Sequence, residues 1–175
     1  YPTGSRDPFG LRRQAHGVIR TLVDLPALTN VDVSLSLADL VGAALDGTKK
    51  EGIALERLSE FFLDRVRHLF KKRQFRYDEI NAIAGREPTL DLIPLDLFRR
   101  LTALQSARKS KEFESLAVLF KRVKNITREF SLEAAADKNW RKRLLEPVEL
   151  ELLQECDRLA PLIKASIVKR DYDEA

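Results

Sequence analysis

The sequence predicts an all-α fold, and three observations carry that prediction. Leu, Ala, Arg, Lys and Glu, all good helix formers, dominate the 175 residues. Apolar residues recur at three- and four-residue spacing in one segment after another. No alternating apolar and polar run is long enough to argue for a strand; the one β-prone stretch, TNVDVSLSL at 29–37, is short and reads equally as a loop. A charged share of 33% beside an apolar share of 44% also favours long exposed helices over a thick α/β core.

The elements follow in order. Asp7-Pro8 reads as a helix N-cap followed by proline at the first helical position. Leu11, Ala15, Val18 and Leu22 continue that helix, and Pro26 is expected to end it. Gly10 and Gly17 fall on nearly the same face. Glycine costs roughly 1 kcal/mol relative to alanine inside a helix, so close approach of another backbone is expected there. Ser34 to about Asp46 reads as a short apolar helix closed by Gly47. Leu55, Leu58, Phe62, Val66 and Leu69 give a long amphipathic helix to about Arg73. Tyr77–Ala84 is a short helix with Gly85 as its C-cap. Pro88 and Pro94 bracket a turn, and Leu95 to Ala107 is another helix.

Ser110 caps the next helix, with Phe113, Leu116, Phe120, Val123, Ile126 and Phe130 expected on its buried stripe. The stretch 131–143, with the only tryptophan, Trp140, is ambiguous. Pro147 starts the last full helix, to about Val168, which Pro161 should kink or interrupt. Asp171 with Glu174 reads as the start of a further helix.

A chain of this length makes one sizeable domain or two small ones. No apolar run approaches the ~18–20 residues that span a bilayer, and the N-terminus lacks the apolar core of a signal peptide. Cys156 is alone, which rules out a disulfide framework or a thiolate metal cage and fits a cytoplasmic location. It is expected to pack beside Leu152, Leu153 and Leu159 rather than react. Methionine is absent throughout, so Tyr1 reads as a cut into a longer polypeptide, and the helix signal at 171–174 suggests the same of the other end.

Motifs for chemistry are missing. The two histidines, His16 and His68, are not followed by Asp, which argues against an HD-type phosphohydrolase. Asp64, one turn before His68, is the only nearby ligand, and two groups do not make a metal cage. GxxxxGK[ST], GxGxxG and GxSxG patterns are absent, and no nucleophile comes with a recognisable base. No catalytic residue and no metal ligand is therefore predicted. His16 lies one turn from Arg12 and Arg20, cations that disfavour its protonated form, and a surface or packing role is expected.

The positive signal is the arrangement of charge. Net charge is +4, yet residues 146–175 hold eight acidic and four basic side chains, so that residues 1–145 carry +8. A basic body suggests a polyanionic partner; the alternative is a charged, solvated helical surface. Arg65, His68 and Lys72 form one stripe of the 55–73 helix, with Arg67 and Lys71 beside it and Arg73 and Arg76 continuing the run. Lys121, Lys124 and Arg128 lie opposite the apolar stripe of the 111–130 helix, with Arg122 adjacent. Like charges at this spacing repel by a few tenths of a kcal/mol per pair. Such repulsion is tolerated where phosphates neutralise the groups in use. Asn125 and Tyr77 are the residues able to read or stack on an unpaired base. The cations of 65–76 and 121–128 are expected to share one side if they serve a single RNA.

Several segments together resemble a known family. PTGSRDPFGLRRQAHGVIR (2–20) resembles the signature PTGS-x-DPF-x-LRR-x-x-x-G-x-x-R of the β subunit of bacterial tetrameric glycyl-tRNA synthetase. FKRVKNI (120–126) resembles that family's KRV-x-NI segment, and YDEINAIAG (77–85), EPVELELL (146–153) and RDYDEA (170–175) fall in the right order. The family's later VD-x-FFD segment has no counterpart, and His16 stands where an apolar residue is expected. The resemblance implies a C-terminal fragment of the subunit. Residues 1–110 would be the tail of an HD-like helical domain with connecting helices, and 111–175 a truncated DALR-type anticodon-binding helical domain. It further implies a non-catalytic, tRNA-engaging role within a glycine–tRNA ligase, with tRNA(Gly) and the α subunit as partners. ATP and Mg²⁺ would be used by the α subunit, with no cofactor in this fragment. The RNA-contacting candidates are then Arg65, Arg67, Lys71, Lys72, Arg73, Arg76, Lys121, Arg122, Lys124, Asn125 and Arg128. The alternative role is a module that scaffolds the α–β assembly without touching RNA.

Overall fold

The computed structural model describes residues 7, 9–32, 34–46, 55–85, 87–128 and 140–172. Every regular element among them is helical. The chain divides into two compact units, Tyr1–Gln105 and Ser106–Ala175.

The first unit is built from α1 (Leu11–Thr29), α2 (Leu37–Asp46), α3 (Leu55–Lys72), α4 (Tyr77–Ala84) and α5 (Pro94–Ala107), whose last two residues fall in the second unit. Its core takes one face from each helix: Ile19 and Val23 of α1, Leu37 of α2, Leu63, Val66, Leu69 and Phe70 of α3, Ile80 and Ala84 of α4, Leu97 and Leu101 of α5. An aromatic group closes the end of α3. Phe70 stacks on Phe98 with ring centroids 6.3 Å apart, and Phe75 meets both edge-on at 6.0 Å. Full burial of such side chains removes enough apolar surface to stabilise the fold by about 1.5–3 kcal/mol each.

Local signals place the helix ends. Ser36 caps α2: its Oγ accepts from the Asp39 N–H at 3.0 Å, and the Asp39 carboxylate accepts from the Ser36 N–H at 2.8 Å. The next free amides of α2 are satisfied by the strand-free segment before α5, with the Leu37 N–H donating to the Leu92 carbonyl at 2.9 Å and Ala38 N–H to Leu90 at 2.7 Å. Before α4, the Glu79 carboxylate, buried, accepts from the Arg76 N–H at 2.9 Å.

Some expectations for this unit are corrected. The first helix starts at Leu11, not after Asp7, because Gly10 adopts φ 67°, a left-handed conformation that suits glycine. Asp7 still serves that end of the helix, its carboxylate accepting from the Arg13 N–H at 3.4 Å. Pro26 lies inside α1 rather than ending it. Only one turn follows it. Asn30, left-handed, closes that turn by donating to the Pro26 carbonyl at 2.9 Å, while buried Ile19, Leu22 and Val23 hold the helix before the proline. No atom lies within 4 Å of a Cβ built on Gly17, so no backbone approaches there.

The second unit holds α6 (Lys111–Ile126), a 3-10 turn at Trp140–Arg143 and α7 (Pro147–Lys169). Ser110 caps α6, its Oγ accepting from the Phe113 N–H at 3.1 Å. Pro147 stands at the start of α7, and the Glu149 carboxylate accepts from the Leu145 and Glu146 amides at 3.2 and 3.3 Å. Arg141 joins the 3-10 turn to α7 through a two-pronged bond to Asp157 at 2.9 and 3.0 Å. Helix α7 continues through Pro161, which withdraws one amide donor without interrupting it.

The buried stripe expected on α6 is not buried. Leu116, Phe120, Val123 and Ile126 are exposed, because no described element covers that face. Cys156 is likewise exposed rather than packed, since α7 buries no residue. Pro8, Gly47, Phe130, most of 131–143 and Glu174, on which other expectations fell, lie outside the described residues.

Candidate nucleic-acid interface

Helices α1 and α3 pack together through their apolar stripes, and each carries a basic stripe along the same edge of the contact. On α1 the spacing of Arg12, His16 and Arg20, one turn apart, gives one line. On α3 the spacing of Arg65, His68 and Lys72 gives the other. Packing brings the lines together around a cleft of about 360 Å³ lined by Arg12, Arg13, His16, Arg65, His68 and Lys72. Among the described residues the lining holds no carboxylate. The two imidazoles meet edge to face, ring centroids 5.9 Å apart.

The electrostatics are those of a site short of negative charge. Burial lowers the His16 pKa below its ordinary value, and the nearby charges of Lys72, His68, Arg20 and Arg73 push it the same way. Its Nδ1 is buried without a hydrogen-bond partner. Asp64 lines the neighbouring groove with Arg12 and Arg65, and two further acids contact cations of α1 and α3. Asp7 Oδ2 stands 3.9 Å from Arg13 Nε, and Asp24 binds both Arg20, at 3.2 Å, and Arg73.

The predicted cations of α3 divide by environment. Arg65 and Lys72 line the cleft, Arg65 also lying 5.0 Å over the Phe61 ring. Lys71 is exposed. Arg67 turns toward α4, its Nη2 donating to the Gly85 carbonyl at 3.1 Å. Arg73 binds Asp24 and lies 5.0 Å over the Phe98 ring. Arg76 pairs with Asp78 at 3.2 Å on the surface. Tyr77 is exposed. In the second unit Lys121, Arg122, Lys124, Asn125 and Arg128 are all exposed.

Arg12, Arg13, His16 and His68 were not among the RNA-contacting candidates. The signal for them was present: each basic stripe flanks an apolar stripe, and two amphipathic helices that pack apolar face to apolar face bring their flanking residues together. Among the described residues no three His, Cys, Asp or Glu side chains are grouped to hold a metal ion. No described helix is long and apolar enough to cross a membrane.

Residues 1–85 match the family described as glycyl-tRNA synthetase beta subunit. The chain is similar over 99% of its length to the glycine–tRNA ligase β subunits of Acidobacterium capsulatum, at 34% identity, Aromatoleum aromaticum, at 32%, and Acidithiobacillus ferrooxidans, at 35%. Along nearly its whole length the chain is thus similar to glycyl-tRNA synthetase β subunits. It spans about a quarter of the length of these curated relatives, 25% of the first and 24% of the other two. The α1–α3 cleft falls wholly within the matched β-subunit region. Arg12 and Arg13, two of its lining residues, are the paired arginines of the GLRR segment near the chain's start.

Proposed function

We propose that this chain is a tRNA-engaging, non-catalytic part of a glycine–tRNA ligase β subunit. Its first unit corresponds on this reading to the tail of an HD-like helical domain, and its second to the beginning of a DALR-type anticodon-binding domain. The tRNA is tRNA(Gly), the partner chain is the α subunit, and ATP, Mg²⁺ and aminoacylation belong to that subunit in the cytoplasm. The observation that carries the reading is the cluster of cations between α1 and α3, which among the described residues has no carboxylate in its lining. Arginine and lysine gathered without carboxylates repel one another, and a phosphate backbone relieves that repulsion while releasing its own counterions. The exposed cations of α6 offer a second contact of the same kind. Contacts of this type position an RNA rather than read its bases.

A salt series of tRNA binding tests the reading. Affinity should fall steeply as salt rises, and Lys121, Lys124 and Arg128 replaced together by Glu should remove much of it. The alternative reading is a module that scaffolds the α–β assembly without touching RNA. Absence of tRNA binding at low salt, with α-subunit binding retained, would establish the scaffold in place of the RNA contact. Activation of glycine by this chain alone would overturn the non-catalytic assignment.

A further inference from the structure

We propose that the cleft between α1 and α3 is a phosphate-binding site in which His16 takes up a proton as the anion enters, so that binding tightens as pH falls. The proposal deepens the RNA reading and rests on it only for the source of the phosphate; the site's chemistry suits a phosphate group carried by RNA or free in solution.

The residues that face His16 set the argument. Its own helix presents Arg12, Arg13 and Arg20; α3 presents Arg65, His68, Lys72 and Arg73. Asp24, the acid that approaches from α1, is engaged by Arg20 and Arg73. Asp7 stands beside Arg13, and Asp64 of α3 lines the neighbouring groove rather than the cleft. With no anion, burial and the nearby charges of Lys72, His68, Arg20 and Arg73 disfavour the imidazolium. A phosphate placed among Arg12, Arg65 and Lys72 offsets much of that repulsion, so protonation of His16 becomes less costly than in the empty cleft. Protonation makes both ring nitrogens donors. The His16 ring lines the cleft, so a donor on it can meet an anion held among these cations. His68, edge to face with His16 at 5.9 Å, lies on the opposite wall, so one anion touches both helices.

Proton uptake and anion binding are one coupled equilibrium. If phosphate raises the His16 pKa by about one unit, the protonated chain binds phosphate about tenfold more tightly than the neutral one. The test follows the imidazole resonances of the whole isotopically labelled chain by NMR from about pH 5 to about pH 8. Three samples are compared: no added anion, millimolar inorganic phosphate, and tRNA.

A rise in the His16 pKa with both probes, with inorganic phosphate competing against tRNA, supports the site with RNA as its source. A rise with inorganic phosphate alone supports a site for a free phosphate and removes this cleft from the RNA reading. No change with either probe overturns the proposal; salt-dependent tRNA binding that persists in that case leaves the RNA reading intact on other surfaces. His16→Gln should weaken the pH dependence of tRNA binding, whose phosphodiesters keep their charge across this range, while leaving the salt dependence in place. Arg12→Gln with Lys72→Gln, checked for retained helix content, should shrink the phosphate response at least severalfold even if His16→Gln fails to fold. An unchanged response in that double variant overturns the assignment to this cleft.

Discussion

Arg73, at the C-terminal end of α3, donates a hydrogen bond to the Asp24 carboxylate on α1, 49 residues earlier in the chain. The guanidinium is flanked by the Phe98 ring, and Asp24 also accepts from Arg20 on its own helix. One acid thus joins two helices and holds two cations. Burial alone would raise the Asp24 pKa, but the bonds from Arg73 and Arg20, with their charges, hold it below the ordinary 3.8.

Because the folded value lies below the unfolded one, the contribution to stability is complete above the ordinary carboxylate value and lost as pH falls through the folded value. Asp24→Asn should therefore cost about 1–2 kcal/mol near neutral pH. Urea denaturation near neutral pH should separate the two proteins, and at a pH well below the carboxylate range their curves should converge. A difference that persists undiminished in acid would assign the effect to shape rather than charge.

The aromatic group at the end of α3 predicts a larger effect. Phe70 is fully buried against Phe75 and Phe98, and its truncation leaves a cavity that the rings of two other segments border. Phe70→Ala should cost about 3–5 kcal/mol, read as a lowered midpoint in chemical denaturation of the first unit. A loss below about 1 kcal/mol would mean that neighbouring side chains collapse into the space.

Helix α6 depends on its cap more than a packed helix does. It buries no residue, so the bond from the Phe113 amide to Ser110 Oγ is a large share of what holds its first turn. Ser110→Ala should cost about 1 kcal/mol, and Ser110→Asp should restore most of it. Hydrogen exchange at the amides of 111–114 is the measurement; equal protection in all three proteins would contradict the prediction.

The RNA reading sorts the predicted cations of α3 by what already holds them. Arg65→Glu with Lys72→Glu should weaken tRNA binding at least about tenfold and flatten its dependence on salt by about one contact or more. Arg67→Gln should instead lower stability, since its guanidinium bridges to the Gly85 carbonyl, and leave the salt slope unchanged. The reverse pattern would identify Arg67 as the phosphate contact.

Much of the fold was legible because helix signals are local. The starts at Tyr77 and Pro147, the Ser110 cap and the end after Ala84 follow from residues within one turn. What escaped depends on neighbours. Pro26 reads as a stop until one sees that a single turn follows it and that a left-handed Asn30 closes that turn. The apolar face of α6 reads as core by its periodicity, yet periodicity gives the side of a helix that is apolar, not whether anything covers it. At the site, Arg65 and Lys72 were found from the charge stripe of one helix. Their joining with Arg12, Arg13 and His16 required the register between α1 and α3, which neither helix contains alone.

The absence of any buried residue among the described positions of the second unit has a calorimetric consequence. The heat-capacity rise on melting comes from apolar surface newly wetted, and a segment most of whose described leucines already face solvent has little left to wet. Differential scanning calorimetry should thus show a sharp endotherm with a clear baseline step from residues 1–105, and from the remainder a broad, shallow one whose baseline hardly moves.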